Sequence, residues 1–322
     1  MNDTKMDVTA IGSTMIRLSV PKGERLETAP VYEVRTAGTE SNTLAALARI
    51  GKKVSWCSRL TTNLLGHRIV RDIMSCGVDT SQVIWTEEDR NEVFFLEYAA
   101  APRSIEVIYD RKESAVSHLC YEDLDIDALL NTRIFHATGI FPSLSQKCSD
   151  TLMKVMNSAR NAGVKISFDV NYRSKLWGTK KASASLKDFL LKTDIVIMTL
   201  EDASHLFGIN GESMNVASAI YEKFSPEICI ITLGGDGAVA FDGSKYYFSK
   251  PYSVETVDRI GAGDCFSAGF LCGYLEGDIQ HGMDIASAMA ALKMGIRGDY
   301  FAFSMNEVIA FLDTRQKREV GR

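Results

Sequence analysis

Nothing in this 322-residue chain gives it a global positive field: 36 lysines and arginines stand against 41 aspartates and glutamates, a formal net charge of −5 with a pI near 5.7. That balance excludes nucleic acid and anionic membrane surfaces as partners attracted by overall charge, so an anionic ligand has to be held by local groups. No apolar run reaches the roughly 18 residues needed to span a bilayer. Asp3 and Asp7 also interrupt the opening residues, where a signal peptide requires an apolar stretch. We therefore expect a cytoplasmic protein. CxxC pairs are missing as well. The seven cysteines, Cys57, Cys76, Cys120, Cys148, Cys229, Cys265 and Cys272, are odd in number and mostly flanked by apolar residues. This argues against a disulfide framework or a zinc site and for small core residues in a reducing compartment. His67, His118, His136, His205 and His281 show no ligand spacing and are read as structural. Neither repeats of 20 to 50 residues nor low-complexity stretches occur, which excludes solenoids and propellers. G-x-G-x-x-G is absent after the first strand, where the chain reads GSTMIR from Gly12 to Arg17, so a nicotinamide-dependent dehydrogenase is not expected.

What is present is a soluble composition with a strong alternation. Hydrophobic residues make up 46% and charged residues 24%, with a mean hydropathy of −0.03, which is ordinary for a folded globular chain. The length suits two domains or one large α/β domain with an insertion. Short β-branched runs at Asp7 to Ile11, Lys53 to Cys57, Lys165 to Phe168, Ile195 to Met198 and Ile228 to Leu233 each precede a segment with helical spacing. Strands apolar on both faces that alternate with helices predict a doubly wound, mainly parallel α/β sheet. Two stretches, at about 15–36 and 91–111, instead alternate with period two and contain no helix. They predict a small antiparallel β sheet beside the core, as a lid over a ligand crevice, a dimerisation surface, or both. We read residues 1–322 as a single domain carrying these two insertions.

The segment Val257 to Phe270, VDRIGAGDCFSAGF, carries the most chemistry. Gly261, Ala262 and Gly263 leave the backbone bare, and Phe266 and Phe270 recur at helical spacing from Asp264 onward. A glycine turn feeding a helix aims unpaired N–H groups and the positive end of the helix dipole at whatever lies in front, which suits a phosphoryl group. A carboxylate there repels phosphate unless it has a task, and accepting the proton of an attacking hydroxyl is such a task. The alternative is that Asp264 merely caps the helix.

Ala37 to Gly51, AGTESNTLAALARIG, resembles the N-terminal signature of the ribokinase-like (PfkB) carbohydrate kinases, and Gly261 to Asp264 is similar to their C-terminal signature. The two lie in the right order, roughly 220 residues apart, on an α/β background, which is far more specific than either alone. The resemblance runs from Ile11 to about Asp299. It implies that Gly38 and Asn42 contact sugar, that Gly261, Ala262 and Gly263 form an anion hole, and that Asp264 is the catalytic base. Within the family, Gly12 to Leu26, Tyr109 to Ser114 (YDRKES) and Phe168 to Trp177 (FDVNYRSKLW) resemble the kinases of 2-keto-3-deoxygluconate. That implies contacts from Tyr109 and Arg111 to an acid sugar, and from Arg173 to sugar or transferring phosphate. Two guanidiniums at one crevice suit a carboxylate-bearing substrate. The alternative for each is a surface ion pair, for Arg111 with Glu113 or Asp110.

Other positions depart from the family pattern. Ala37 and Thr39 replace the usual Gly and Ala, and Arg259 and Ile260 precede the glycine turn where many members have two threonines. Thr199 and Asp202 stand at the family's Asn-x-x-Glu, leaving Asp202 as the candidate magnesium residue, with Glu201 as a substitute and an acidic helix turn as the alternative. Thr232 to Gly237 (TLGGDG) resembles the ATP-side loop, with Thr232, Gly234 and Gly237 as nucleotide contacts alongside Gly261 and Gly263, and Ala286 to Asp299 would flank the adenine. A plain hairpin turn explains those glycines as well. The resemblance thus implies ATP and Mg2+ as cofactors, with a monovalent cation as a further candidate. It also implies a sugar acid as the small-molecule partner, and a homodimer through the lid. The competing expectations are a kinase of a neutral sugar such as fructose or ribose, and a non-catalytic sugar sensor. Arg315, Lys317, Arg318 and Arg322 are read as a solvated tail.

Overall fold

The computed structural model describes residues 5–98 and 103–320, with side chains described as far as residue 314; the tail cations therefore lie outside the described side chains. The strands are β1 (Met6–Ile11), β2 (Met15–Ser19), β3 (Glu33–Ala37), β4 (Val54–Thr61), β5 (Val83–Thr86), β6 (Val93–Glu97) and β7 (Glu106–Asp110). They continue with β8 (Thr132–Thr138), β9 (Lys165–Asp169), β10 (Ile195–Thr199), β11 (Ile228–Thr232), β12 (Ala238–Phe241) and β13 (Tyr246–Ser249). Among the described residues nine of them form one sheet in the order β13-β12-β11-β10-β9-β8-β1-β4-β5, parallel from β11 to β5. Helices cover both faces, and the strands supply both: Ile195 and Ile197 enter one buried cluster, Val196 and Met198 the other. All five runs expected as strands are strands. The expectation that each precedes a helix fails twice: β1 is followed by β2 of the second sheet, and β11 by the antiparallel hairpin β11–β12, closed at Gly234–Asp236. β8 was not legible as an apolar run because TRIFHAT includes Arg133 and His136. The latter is fully buried, bonded to Ser167 Oγ at 3.1 Å, and its pKa is pushed down to about 4 by burial.

The two period-two stretches form a separate four-stranded sheet, β3-β2-β6-β7. It is mixed, not antiparallel as expected. β2–β3 and β6–β7 are antiparallel, but β2 and β6 run parallel, with Ile16 beside Val93 and Leu18 beside Phe95. Each follows directly on a strand of the main sheet, β2 after β1 and β6 after β5, and so inherits the common direction of those parallel strands. Cys57, Cys148, Cys229, Cys265 and Cys272 are buried as expected, whereas Cys76 and Cys120 are only half-buried; all seven are free thiols. Among the described residues no helix is long and apolar enough to cross a membrane.

Candidate active site

The chain leaves β1 to build β4 and β5 on one side and returns through β8 and β9 on the other, so the strand order reverses between β1 and β8. Open α/β sheets bind ligands beyond the carboxyl ends of strands at such a point. A cavity of about 500 Å³ lies there, lined by Ser13 after β1, Ile140 after β8 and Asn171 and Arg173 after β9. The four-stranded sheet adds Met15, Phe94, Val107 and Tyr109. Gly38, Asn42, Arg111, Gly261, Gly263 and Asp264 complete a wall in which segments distant in sequence meet.

Gly261 has φ 85° and stands as N-cap of the helix Ala262–Glu276, a left-handed conformation that glycine adopts without a Cβ clash. A Cβ there would also meet the Asp299 carbonyl oxygen at 2.4 Å. This helix is apolar all round and packs closely on the helix Ile279–Met294. A Cβ on Gly269 would come within 2.6 Å of Ala286 Cα, and one on Gly273 within 2.3 Å of Gly282 Cα. The turn is thus mounted on a rigid pair. The first intrahelical bond runs from Cys265 N–H to the Gly261 carbonyl, which leaves the amides of Gly263 and Asp264 without a backbone acceptor, while that of Ala262 turns back to the Arg259 carbonyl at 3.3 Å. Of the three residues expected in an anion hole, Gly261 and Gly263 line the cavity and Ala262 does not.

Asp264 occupies the third position of the helix rather than its cap. Its carboxylate accepts from Thr39 Oγ1 and from Asn42 Nδ2, both at 2.6 Å, and Asn171 Nδ2 in turn donates to Thr39 Oγ1 at 2.9 Å. The capping alternative therefore falls: this side chain is held by donors on other elements. Burial pushes its pKa up, against the pull of those two hydrogen bonds and of the Arg173 and Lys293 charges.

Arg111 is 7% exposed and is not a surface residue. Its ion pair is with Glu92, Nε to Oε1 at 3.0 Å, and neither Asp110 nor Glu113 is its partner; Nη2 donates to Ser13 Oγ at 2.9 Å. The Tyr109 ring lies beside it, 5.6 Å from guanidinium carbon to ring centroid. Arg173 is exposed and forms no ion pair among the described residues, so the surface-pair alternative fails there too. Beside it, burial and the fields of Asp264 and Asp202 raise Asp169 to about 8. Asp202 is buried, and its amide donates to Thr199 Oγ1 at 2.9 Å as part of the cap of the helix Leu200–Phe207. Burial also raises its pKa. Among the described residues no group of three or more His, Cys, Asp or Glu side chains is arranged to hold a metal ion.

The structure does not bring the whole predicted set together. Thr232, Gly234, Gly237 and Asp202 lie off this cavity; Thr232 stands beside Thr199, at the carboxyl ends of β11 and β10. Sequence reasoning missed Thr39 and Asn171, which position Asp264, and Glu40, fully buried under the cavity. Glu40 accepts from Thr138 Oγ1 at 2.6 Å, and burial raises it to about 7. The room for Glu40 comes from Gly12, where a Cβ would stand 2.2 Å from its Oε2. Asn171 did carry a signal: it follows an Asp two residues earlier, and the Asx turn so formed, Asn171 N–H to Asp169 Oδ1 at 3.1 Å, holds it at φ 37°.

The chain is 35% identical over 303 residues to a 2-dehydro-3-deoxygalactonokinase of Haloferax volcanii, covering 94% of this chain and 95% of that one. It is 29% identical over 316 residues to a 2-dehydro-3-deoxygluconokinase of Bacillus subtilis, covering 97% of each. The crystal structure of a 2-dehydro-3-deoxygluconokinase from Thermotoga maritima superposes with a TM-score of 0.90 at 30% identity, covering 96% of this chain and 99% of that one. A family model for pfkB family carbohydrate kinases matches residues 5–304, and with the fold and the two signatures in place the chain belongs to that family of carbohydrate kinases.

Proposed function

We propose that the chain transfers the γ-phosphoryl group of ATP to the terminal primary hydroxyl of 2-keto-3-deoxygluconate or a closely similar sugar acid. The observation that carries this is Asp264, held by two donors in the same cavity as two acceptor-free amides and the buried Arg111. In this reading Asp264 takes the hydroxyl proton and the amides of Gly263 and Asp264 face the transferring phosphoryl group. Gly38, Asn42 and Tyr109 contact the sugar. Arg111 meets its carboxylate, with Glu92 fixing the fork, and Arg173, which has no ion pair among the described residues, meets carboxylate or phosphate. The relatives named for two sugar acids, a 2-dehydro-3-deoxygalactonate and a 2-dehydro-3-deoxygluconate, support an acid substrate.

The donor set fits a magnesium ion that arrives on the nucleotide. Asp169 and Asp202 are carboxylates whose mutual field helps to raise Asp169, so a hard cation relieves what burial imposes. They would hold Mg2+ together with ATP oxygens, and the ion would supply charge neutralisation of the phosphates. Thr232, Gly234 and Gly237 would meet the nucleotide. The resemblance alone supports a monovalent cation.

The four-stranded sheet serves as a lid, since Met15, Phe94, Val107 and Tyr109 reach the cavity from it. Its other face carries an apolar row across all four strands, Val34, Leu18, Phe95 and Ile108, with Val34 37% and Ile108 52% exposed, which supports a homodimer of this face. Hydrogen exchange of β6 and β7 on forming the ternary complex tests the lid, and sedimentation tests the dimer. Unchanged exchange, or a monomer at micromolar concentration, removes the respective role.

One observation favours a neutral sugar, namely that Glu92 already neutralises Arg111. ATP turnover on a panel of 2-keto-3-deoxygluconate, its galactonate epimer, fructose and ribose decides. The acid sugars are expected to lead in kcat/KM, and a lead by fructose or ribose would overturn the acid-sugar reading.

A further inference from the structure

Behind the glycine turn lies a buried ionic cluster to which phosphoryl transfer assigns no task. Arg17, on β2, has no exposed surface; its Nη1 donates to Asp299 Oδ2 at 2.5 Å and its Nη2 to Asp258 Oδ2 at 3.1 Å. Asp258 Oδ2 also accepts from Tyr98 Oη at 2.6 Å and from the Gly298 amide at 3.2 Å, and its Oδ1 from the Ile260 amide at 3.1 Å. Lys293 Nζ donates to the Asp258 carbonyl at 2.8 Å. Two regions meet in this cluster. Arg17 lies on β2 of the four-stranded sheet and Tyr98 directly follows its β6, whereas Asp258 and Ile260 lead into Gly261, and Asp299 places its carbonyl against that glycine.

A buried ion pair adds little net stability, because desolvation offsets attraction; here it fixes geometry through the four donors on Asp258 and the one on Asp299 Oδ2, while Asp299 Oδ1 and Arg17 Nε stay unpartnered among the described residues. Arg can do this here because its planar fork reaches two carboxylates at once, one before the glycine turn and one packed against it. Asp258 then passes that position on to the chain just before the turn through the Ile260 amide. Phosphoryl transfer is sensitive to such placement: a shift of about 1 Å at a reacting group lowers rates by about 100-fold.

We propose that Arg17 is a positioning residue for phosphoryl transfer: by clamping Asp258 and Asp299 it holds the turn Gly261–Gly263 in register with the four-stranded sheet. The amides facing phosphate and the strands facing sugar are thereby fixed to each other. This rests on the turn being the phosphate site.

Arg17→Lys keeps the charge and loses the fork. Arg17→Met strands two buried carboxylates and can unfold the chain, so Tyr98→Phe, which deletes one donor and no charge, is the second variant. Steady-state kinetics with ATP and 2-keto-3-deoxygluconate are read per folded molecule, with Gly263→Val in parallel. The expectation is that Arg17→Lys lowers kcat by about 10- to 100-fold and Tyr98→Phe by about 3- to 10-fold, each with KM for the sugar within about twofold of wild type. If Arg17→Met folds, it should fall below Arg17→Lys. Unchanged kcat in both Arg17→Lys and Tyr98→Phe, while Gly263→Val loses turnover, overturns the role of Arg17 and leaves the phosphate site standing. Full turnover by Gly263→Val removes the phosphate site and this inference with it.

Discussion

Two glycine turns sit beyond carboxyl ends of this fold, and they work differently. The turn at Gly234–Gly237 closes a hairpin and spends its polar groups on itself, with Leu233 N–H bonded to the Gly237 carbonyl at 2.9 Å and Gly237 N–H to the Gly234 carbonyl at 3.4 Å. Its glycines answer to backbone geometry: φ is 60° at Gly234 and 94° at Gly237, and a Cβ on Gly237 would stand 2.2 Å from the Ser249 carbonyl oxygen. The turn at Gly261–Gly263 opens a 15-residue helix, leaves two amides without acceptors, and needs its positive φ only at Gly261. At Gly263 a Cβ would meet nothing within 4 Å, so what that glycine provides is open space in the cavity. Glycine content therefore does not identify a phosphate site. What supports the phosphate role proposed for Gly261–Gly263 is the helix that begins there with its first amides free.

The largest effect should separate the turns by function. Gly263→Val fills the space in front of the free amides and should lower kcat by about 100-fold or more, while Tm moves by only about 2–4 °C; kinetics beside thermal melts check both. Next is Arg111→Met, which should cut kcat/KM for the acid sugar by roughly 10- to 150-fold and leave that for fructose little changed. The ratio of the two substrates is the readout, because the small loss from leaving Glu92 unpaired is common to both and cancels in it. Gly237→Val should do the reverse of Gly263→Val, lowering stability by about 1–3 kcal/mol through strain and overlap while kcat per folded molecule at saturating ATP stays within about threefold, the nucleotide contact showing in KM for ATP; urea unfolding and kinetics together check it. A loss of turnover as large as that of Gly263→Val would erase the distinction between the turns.

The smallest effect concerns pH. Asp169 has a folded pKa of about 8, above its ordinary value of 3.8, so its contribution to stability is present below pH 4 and is lost as pH rises toward 8. Asp169→Asn lacks that loss. The Tm of Asp169→Asn relative to wild type, without nucleotide, should therefore climb between pH 5 and 8. A flat difference would mean that Asp169 is ionised throughout.

How much of this was legible in the sequence follows from the range of each interaction. The parallel strands showed because residues such as Ile195 to Met198 are apolar on both faces, and the glycine turn feeding a helix showed because bare glycines precede Phe266 and Phe270 at helical spacing. Partners set by three-dimensional proximity did not show. Asp264 is held by Thr39 and Asn42, more than 200 residues away in the chain, and Arg17 by Asp299 at a separation of 282. For Arg111, the sequence neighbours Asp110 and Glu113 drew attention from Glu92, which only the pairing of β6 with β7 brings alongside. The parallel pairing of β2 with β6 was hidden for the same reason, since it is inherited from β1 and β5 and not from the alternation within the segments themselves.

The central claim is that Asp264 removes the proton of the attacking hydroxyl in front of the free amides. It is tested most directly by Asp264→Asn, with ATP affinity from calorimetry and phosphoryl transfer to 2-keto-3-deoxygluconate from single-turnover measurements. The account predicts ATP binding within about threefold of wild type and a transfer rate lower by about 100-fold or more. A transfer rate within about threefold of wild type would contradict it.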